Sequence, residues 1–321
     1  MAIINPPAWP IDKGEKNALN ILLNAFRIAI NGALSVFGMV DGFVDEFEDE
    51  TGIDTTDSLN EVYDSTNDLY ESDLVYGSDQ TGSGTASASS EAEGAAANAF
   101  ANDGTSTFWG YSGTGSGSLT YDFGSGVTKT IQKYTIRARG SFENQSPKAW
   151  TLEGSNNGSA WTTLDTRSGV TGWTAGEIKT FTFSNSTAYR YYRISITEND
   201  GGGNTTISEV EFMEGTVNDM TLISEPQTAE VEPKTARIVV FEEDVDAVTL
   251  NTDLKAYVSR DSGVTWTQIT LADEGDYGSG KRILTGQVGI TAQPSGTAMR
   301  YKIETDNNKK LKLHGVALTW D

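Results

Sequence analysis

The segment AYRYYRISITENDGGGNTTISEVEF, residues 188–212, carries two alternating rows of side chains at once. Tyr189, Tyr191, Arg193 and Ser195 interleave with Arg190, Tyr192, Ile194 and Ile196. Successive side chains of a strand point to opposite faces, so aromatic or aliphatic groups in both rows predict a central strand with neighbours on both sides. The glycines at 201–203 mark the turn after it, and Ile207–Met213 resumes the alternation. Working outward, the same period predicts strands at Ser118–Phe123, Ile131–Ala138, Ala149–Ser155, Trp161–Asp165 and Lys179–Phe183, joined by Gly- and Asn-rich turns. That is the rhythm of a β-sandwich.

Alternation returns toward the C-terminus at Ala236–Glu242, Ala247–Leu250, Leu254–Ser259, Thr265–Leu271, Lys281–Val288, Ala298–Thr305 and Lys312–Leu318. These strands predict a second sandwich. Within them Ser259-Arg260-Asp261-Ser262-Gly263-Val264-Thr265-Trp266 fits the Asp-box pattern S-x-D-x-G-x-T-W, a hairpin whose Asp is expected to accept backbone amides while Trp packs beneath. Asp-boxes recur in sialidases, but one box falls far short of a repeated propeller, and the box is structural there. SNNGSAW at 155–161 is a comparable polar hairpin before a Trp.

The N-terminal part reads differently. Leu19, Leu22, Phe26, Ala29, Ala33, Val36, Val40, Phe43 and Phe47 recur at alternating three- and four-residue steps, the seam of a self-associating helix. Leu23, Ile30, Phe37 and Val44 widen that stripe toward a trimer, whereas Gly32, Gly38 and Gly42 weaken the helix by about 1 kcal/mol each. The expected organisation is a prolyl arm and oligomerising or anchoring helix over 1–50, an acidic adaptor and linker over 51–83, and β-sandwiches over 84–214 and 215–321. The fold class is therefore mainly β behind a helical anchor.

Charge and inventory narrow the function. The chain has 321 residues, a formal net charge of -22, and no Lys or Arg between Arg27 and Lys129. Such a surface repels phosphate backbones, which argues against nucleic acid. With no Cys and a single His, His314, thiolate nucleophiles, disulfide scaffolds and histidine triads are excluded. No pair of carboxylates stands out as a glycosidase couple, so no enzyme is expected. Polar residues interrupt the apolar run from Leu22 to Val40, so no membrane insertion is expected. Met1–Pro10 lacks a basic region followed by an apolar core, so no export signal is expected either.

Four segments, SSEAEGAAANAFANDGTSTFW (89–109), LTYDFGSGVTKTIQKYTIRAR (119–139), PKAWTLEGSNNGSAWTTLDT (147–166) and 188–212, together resemble the coagulation-factor type C or discoidin domain, whose bacterial members are carbohydrate-binding modules. The resemblance implies a jelly-roll sandwich that binds sugars or lipid headgroups through loops at one end and often holds a structural calcium. A hard cation wants carboxylate, hydroxyl and carbonyl oxygens converging from a loop and a distant strand. Asn102, Asp103, Gly104 and Thr107 offer the loop, and the resemblance places the strand carboxylate at Glu209 or Glu211. Ala101 is one residue more than the family pattern carries. Trp109 is expected in the core beside that loop. For sugar contact the loops offer Tyr111, Arg139, Phe142, Asn144 and Asn199, an aromatic and hydrogen-bonding set.

Residues 235–284 and 311–320 look like modules at the ends of tail and fibre-like proteins of bacteriophages. The expected function is therefore a virion structural protein, a tail-fibre or spike-like appendage displaying a glycan-binding module to the host surface. Its expected partners are further copies of itself as a homotrimer, other virion proteins and host glycan, with assembly in the bacterial host cytoplasm. The alternative is a non-catalytic binding accessory of a cellular glycan-processing system.

Overall fold

The computed structural model describes residues 41–104, 107–113 and 116–321. It divides into two units: Val75–Thr216, and a discontinuous unit in which residues 41–74 join Val217–Asp321.

In the Val75–Thr216 unit, Tyr191–Asn199 pairs antiparallel with Gly117–Asp122 on one side and Pro147–Ser155 on the other. Thr85–Ala88 and Thr162–Arg167 complete a five-stranded sheet. A four-stranded sheet runs Ile178–Thr182, Ile131–Arg137, Glu209–Val217 and Leu74–Tyr76, and a short ladder joins Trp109–Ser112 to Asn204–Ile207. The row Tyr192, Ile194 and Ile196 is fully buried against Leu119, Trp150, Leu152, Tyr134 and Ile136, which is the sandwich core. Tyr192 also closes the layer, its hydroxyl donating to the Lys129 carbonyl at 2.6 Å and accepting the Ile131 amide at 3.1 Å. Such a pairing lets a large phenol be buried without an orphaned oxygen.

In the discontinuous unit, Leu311–Trp320 pairs along its length with Thr235–Asp244, which in turn pairs with Lys281–Gly289. The facing sheet holds Leu254–Ser259, Ala298–Thr305, Thr267–Ile269 and Thr221–Ile223, with Gln227–Thr228 beside Ala298–Thr305. Ile238, Val240 and Leu318 of one sheet share a core with Ala256, Val258, Tyr301 and Ile303 of the other. Ala247–Leu250 is not a strand, and Ala272–Gly278, between the expected strands Thr265–Leu271 and Lys281–Val288, is an exposed acidic edge strand.

Both polar hairpins are turn devices. In the Asp-box, Asp261 accepts the Thr265 amide at 2.8 Å and the Ser259 hydroxyl at 2.7 Å, with Ser262 and Gly263 at positive φ. At 155–161, Ser155 Oγ accepts the Gly158 amide and Asn157 Oδ1 those of Ser159 and Ala160.

The helical seam requires correction. Leu19, Leu22, Phe26, Ala29, Ala33, Val36 and Val40 lie outside the described residues, but Asp41–Asp45 is a strand paired with the end of Leu311–Trp320. Phe43 stacks on Tyr301 at 5.8 Å and meets Trp320 at 6.2 Å. Phe47 is fully buried, edge-on to Tyr70 at 5.0 Å, and its backbone adopts φ 54°. Phe43 and Phe47 are four residues apart, a spacing that a helix would use, but a strand followed by a left-handed turn brings both into one core as well. Gly42 is what permits the strand: a Cβ there would sit 2.6 Å from the Leu318 carbonyl oxygen. Asp41, Phe43 and Asp45 also form a period-two row, so the local sequence serves either structure and the unfilled sheet edge decides between them.

The adaptor over 51–83 is likewise structured. Glu61–Asp64 and Leu69–Ser72 form a hairpin whose second strand joins the start of Leu311–Trp320. Arg300 clasps the 54–57 turn, donating to Asp54 at 2.5 Å. Gly82 and Gly84 donate backbone amides to the Tyr121 hydroxyl at 2.7 Å, and Asp79 accepts the Phe212 amide at 2.9 Å. A chain begun at residue 84 therefore lacks three strands, Phe47 and Tyr70 of the discontinuous unit. Its C-terminal part is expected to aggregate or to show no cooperative thermal transition, whereas Phe47→Ala in the full chain is expected to cost about 3–5 kcal/mol by chemical denaturation.

Candidate functional site

Arg139 follows the strand Ile131–Arg137 into a loop that ends in a single 3-10 turn, Glu143–Gln145. Its guanidinium lies 3.7 Å from the Phe108 ring centroid and 5.2 Å from that of Phe142. Stacking on aromatic faces holds a guanidinium flat while leaving its edge donors free to point outward. Phe142 is 58% exposed and sits at φ 64°. A bulky side chain is costly in that region of backbone space, so this conformation is held by its surroundings. The Gln145 amide donates to the Phe142 carbonyl at 2.9 Å, closing the turn beneath the ring. Asn144 is exposed beside it, and its carbonyl accepts the Gly202 amide at 2.9 Å. A Cβ on Gly202 would lie 2.6 Å from Gln145 Cγ, so glycine there lets the two loops meet.

Arg139, Phe142 and Asn144 are thus gathered on one loop. Phe108, absent from the sequence-based set, completes the group; its only sequence signal is that it directly follows the polar 102–107 loop. The other two expected contacts are not placed to meet a ligand. Tyr111 is 4% exposed and packs on Trp109 at 5.6 Å. The ring also lies against Gly117, where a Cβ would stand 2.2 Å away. Asn199 is 3% exposed; its amide donates to the Gly202 and Asn204 carbonyls at 3.0 and 2.6 Å, and its Oδ1 accepts the Gly201 amide at 3.2 Å. It shapes the 200–204 turn from inside. Alternation cannot distinguish such a satisfied interior amide from a loop-tip one.

The expected metal loop is assembled on Glu209. Its buried carboxylate accepts the Asn102 amide at 2.6 Å and the Gly104 amide at 3.3 Å, with Asn102 at φ 54° and Gly104 at φ 79°. Thr107 donates its hydroxyl to Asp103 at 2.8 Å, and the Asn102 side chain donates to Asp79 at 3.3 Å. Burial pushes the Glu209 carboxyl up, with the charges of Glu211 and Asp103 adding, while the two amides pull it down. Glu211 instead faces Thr135, whose hydroxyl donates to it at 3.1 Å. Among the described residues no group of three or more His, Asp or Glu is placed to hold a metal ion. The Glu209 and Asp103 carboxylates and the Thr107 hydroxyl are nonetheless oxygen donors of the type calcium takes, and the carboxylates' charge suits a cation. Trp109 is fully buried beside this loop, donating its indole N–H to the Ser90 carbonyl at 2.9 Å.

These placements separate in a simple measurement. Asn199→Ala is expected to lower stability by about 1–3 kcal/mol because it orphans two carbonyls and an amide. Arg139→Ala is expected to stay within about 0.5 kcal/mol of the parent, as a surface change. Paired denaturation curves read both.

Comparison with known proteins bears on this unit. The family model described as F5/8 type C domain matches residues 84–210. No curated protein matches the chain. Similar solved structures include CpGH89CBM32-5 from Clostridium perfringens in complex with GalNAc-beta-1,3-galactose, 22% identical over 42% of this chain and 99% of that one, with a TM-score of 0.37. The family 32 carbohydrate-binding module of Clostridium perfringens NanJ in complex with galactose is 22% identical over 44% of this chain and 100% of its own, with a TM-score of 0.37. Chitosan-binding module 1 from a chitosanase/glucanase of Paenibacillus sp. IK-5 is 21% identical over 42% and 97%, with a TM-score of 0.35. The segment from 84 to 210, which holds Phe108, Arg139, Phe142, Asn144 and Glu209, is the part of the chain that the F5/8 type C model matches.

Proposed function

We propose that the Val75–Thr216 unit is a non-catalytic carbohydrate-binding module whose loop cluster, Phe108, Arg139, Phe142 and Asn144, contacts sugar. The observation that carries this reading is the Arg139 guanidinium held against two rings, one of them more than half exposed. Sugar rings offer apolar C–H faces and peripheral hydroxyls, and an exposed ring beside a fixed fork of N–H donors answers both. The acidic balance of the chain supports sugar over the anionic lipid headgroups that related domains also take. Glycan-array binding by the full chain is expected, and Arg139→Ala and Phe142→Ala are each expected to lower it by about tenfold with the melting temperature kept. Unchanged binding in both variants would overturn the loop assignment.

Calcium belongs to the same proposal as a structural ion held by Glu209 and Asp103 with the Thr107 hydroxyl and, as the fourth residue of the set, Asn102. A carboxyl whose folded pKa is raised loses stability as pH rises from the ordinary glutamate range through that raised value. A bound cation offsets the cost by favouring the ionised form. Above that range calcium is expected to raise the melting temperature over that in chelator, and Glu209→Gln is expected to remove most of the difference. Equal melting curves with and without calcium in the parent chain exclude the ion.

The wider setting is a tail-fibre or spike-like appendage of a phage virion, assembled in the host cytoplasm, trimeric, attached to other virion proteins and touching host-surface glycan. What supports it is the resemblance of 235–284 and 311–320 to phage appendage modules, and the apolar seam from Leu19 to Val40, outside the described residues. Several weak sites on one assembly raise avidity without new contacts. Light scattering on the full chain is expected to report three copies, and a monomer overturns the trimer.

A further inference from the structure

The outer row of the five-stranded sheet in the Val75–Thr216 unit lines a groove of about 390 Å³, which is within the size of ordinary ligand sites. Hydroxyl side chains form its floor, with aromatic and charge-paired side chains around them. Thr85, Ser87, Ser89, Ser118 and Thr120 present hydroxyls, while Trp161, Tyr191 and Arg193 stand above them. The register explains the grouping. Thr85 faces Asp122, which faces Tyr191, and Ser87 faces Thr120, which faces Arg193, so two cross-strand rows run from the sheet edge into its centre.

The rings are held in place. Arg193 lies 4.0 Å from the Trp161 ring centroid and bonds Glu153 at 2.6 Å. Trp161 meets Tyr191 edge-on at 6.5 Å, and Arg190 stacks on Tyr191 at 4.7 Å while gripping both Asp122 oxygens at 2.7 Å. Two cations and two anions therefore cancel in pairs. On a chain of net charge -22, a groove that is locally neutral, hydroxyl-lined and walled by fixed aromatics favours an uncharged ligand over a cationic or anionic polymer. A peptide strand would seek unpaired backbone at a sheet edge, but the face of a sheet offers only side chains.

We propose that this sheet face is a second binding surface, separate from the loop cluster, and that it takes a neutral polysaccharide laid across the strands against Trp161 and Tyr191. It stands on the sheet face alone and does not require the loop assignment to hold.

The test is affinity electrophoresis of the full chain in gels cast with soluble neutral polysaccharides (galactan, glucomannan and arabinoxylan), with dextran sulfate as the anionic control. Retardation is expected in at least one neutral gel and not in dextran sulfate. Trp161→Ala, which removes the wall, and Ser87→Trp, which fills the groove from an exposed edge-strand position, are each expected to weaken that retardation by at least about tenfold in affinity. Arg139→Ala is expected to leave it in place, which keeps failure here distinguishable from failure of the loop site. Unaltered melting curves establish that each variant is folded. Absence of retardation in every neutral gel, stronger retardation in dextran sulfate, or retardation unchanged in both groove variants overturns the proposal.

Discussion

The strand Tyr191–Asn199 takes hydrogen-bonded neighbours on both sides, and that pairing sets what every residue around it does. A strand in the middle of a sheet has no freedom of register, because a slip of one residue would exchange its two faces. Tyr192, Ile194 and Ile196 therefore go into the sandwich, where the Tyr192 hydroxyl ties down both Lys129 and Ile131. Tyr191 and Arg193 go outward in the same step and become the wall of the sheet-face groove. The core and the groove are two consequences of one alternation.

The loops depend on that frame in a different way. Asn199, at the end of the same strand, turns the chain through 200–204, and Gly202 then docks on the Asn144 carbonyl. Arg139 is brought to Phe142 by the loop they share, and to Phe108 by the fold. Glu209 anchors the 102–104 loop from the neighbouring sheet. The contacts of Gly202 with Asn144, of Arg139 with Phe108 and of Glu209 with the 102–104 loop join segments tens of residues apart, placed by strands whose spacing is already determined.

The discontinuous unit has a matching logic. Leu311–Trp320 offers one side to Thr235–Asp244 and the other to two short strands from before residue 75. That second side would otherwise be an open row of backbone donors and acceptors, which is costly and prone to unwanted pairing. Covering it is the role of Asp41–Asp45 and Leu69–Ser72, with Phe43, Phe47 and Tyr70 filling the layer beneath. Pairing at this edge is what overrides the helical spacing.

Alternation in the sequence alone was enough to place most strands of both sandwiches: Leu254–Ser259 and Ala298–Thr305 were placed to the residue, and others within a few positions. It also identified the Asp-box as a turn, because Ser, Asp and Gly at those spacings satisfy one another locally. Gathering Arg139, Phe142 and Asn144 was possible because they are near neighbours in the chain. Tertiary structure alone decided that Tyr111 and Asn199 face inward, that Phe108 stacks on Arg139, and that residues 41–47 form a strand and turn. Period and propensity are local quantities, while burial of a tyrosine, stacking across thirty residues and the filling of a sheet edge are set by what the rest of the chain leaves open.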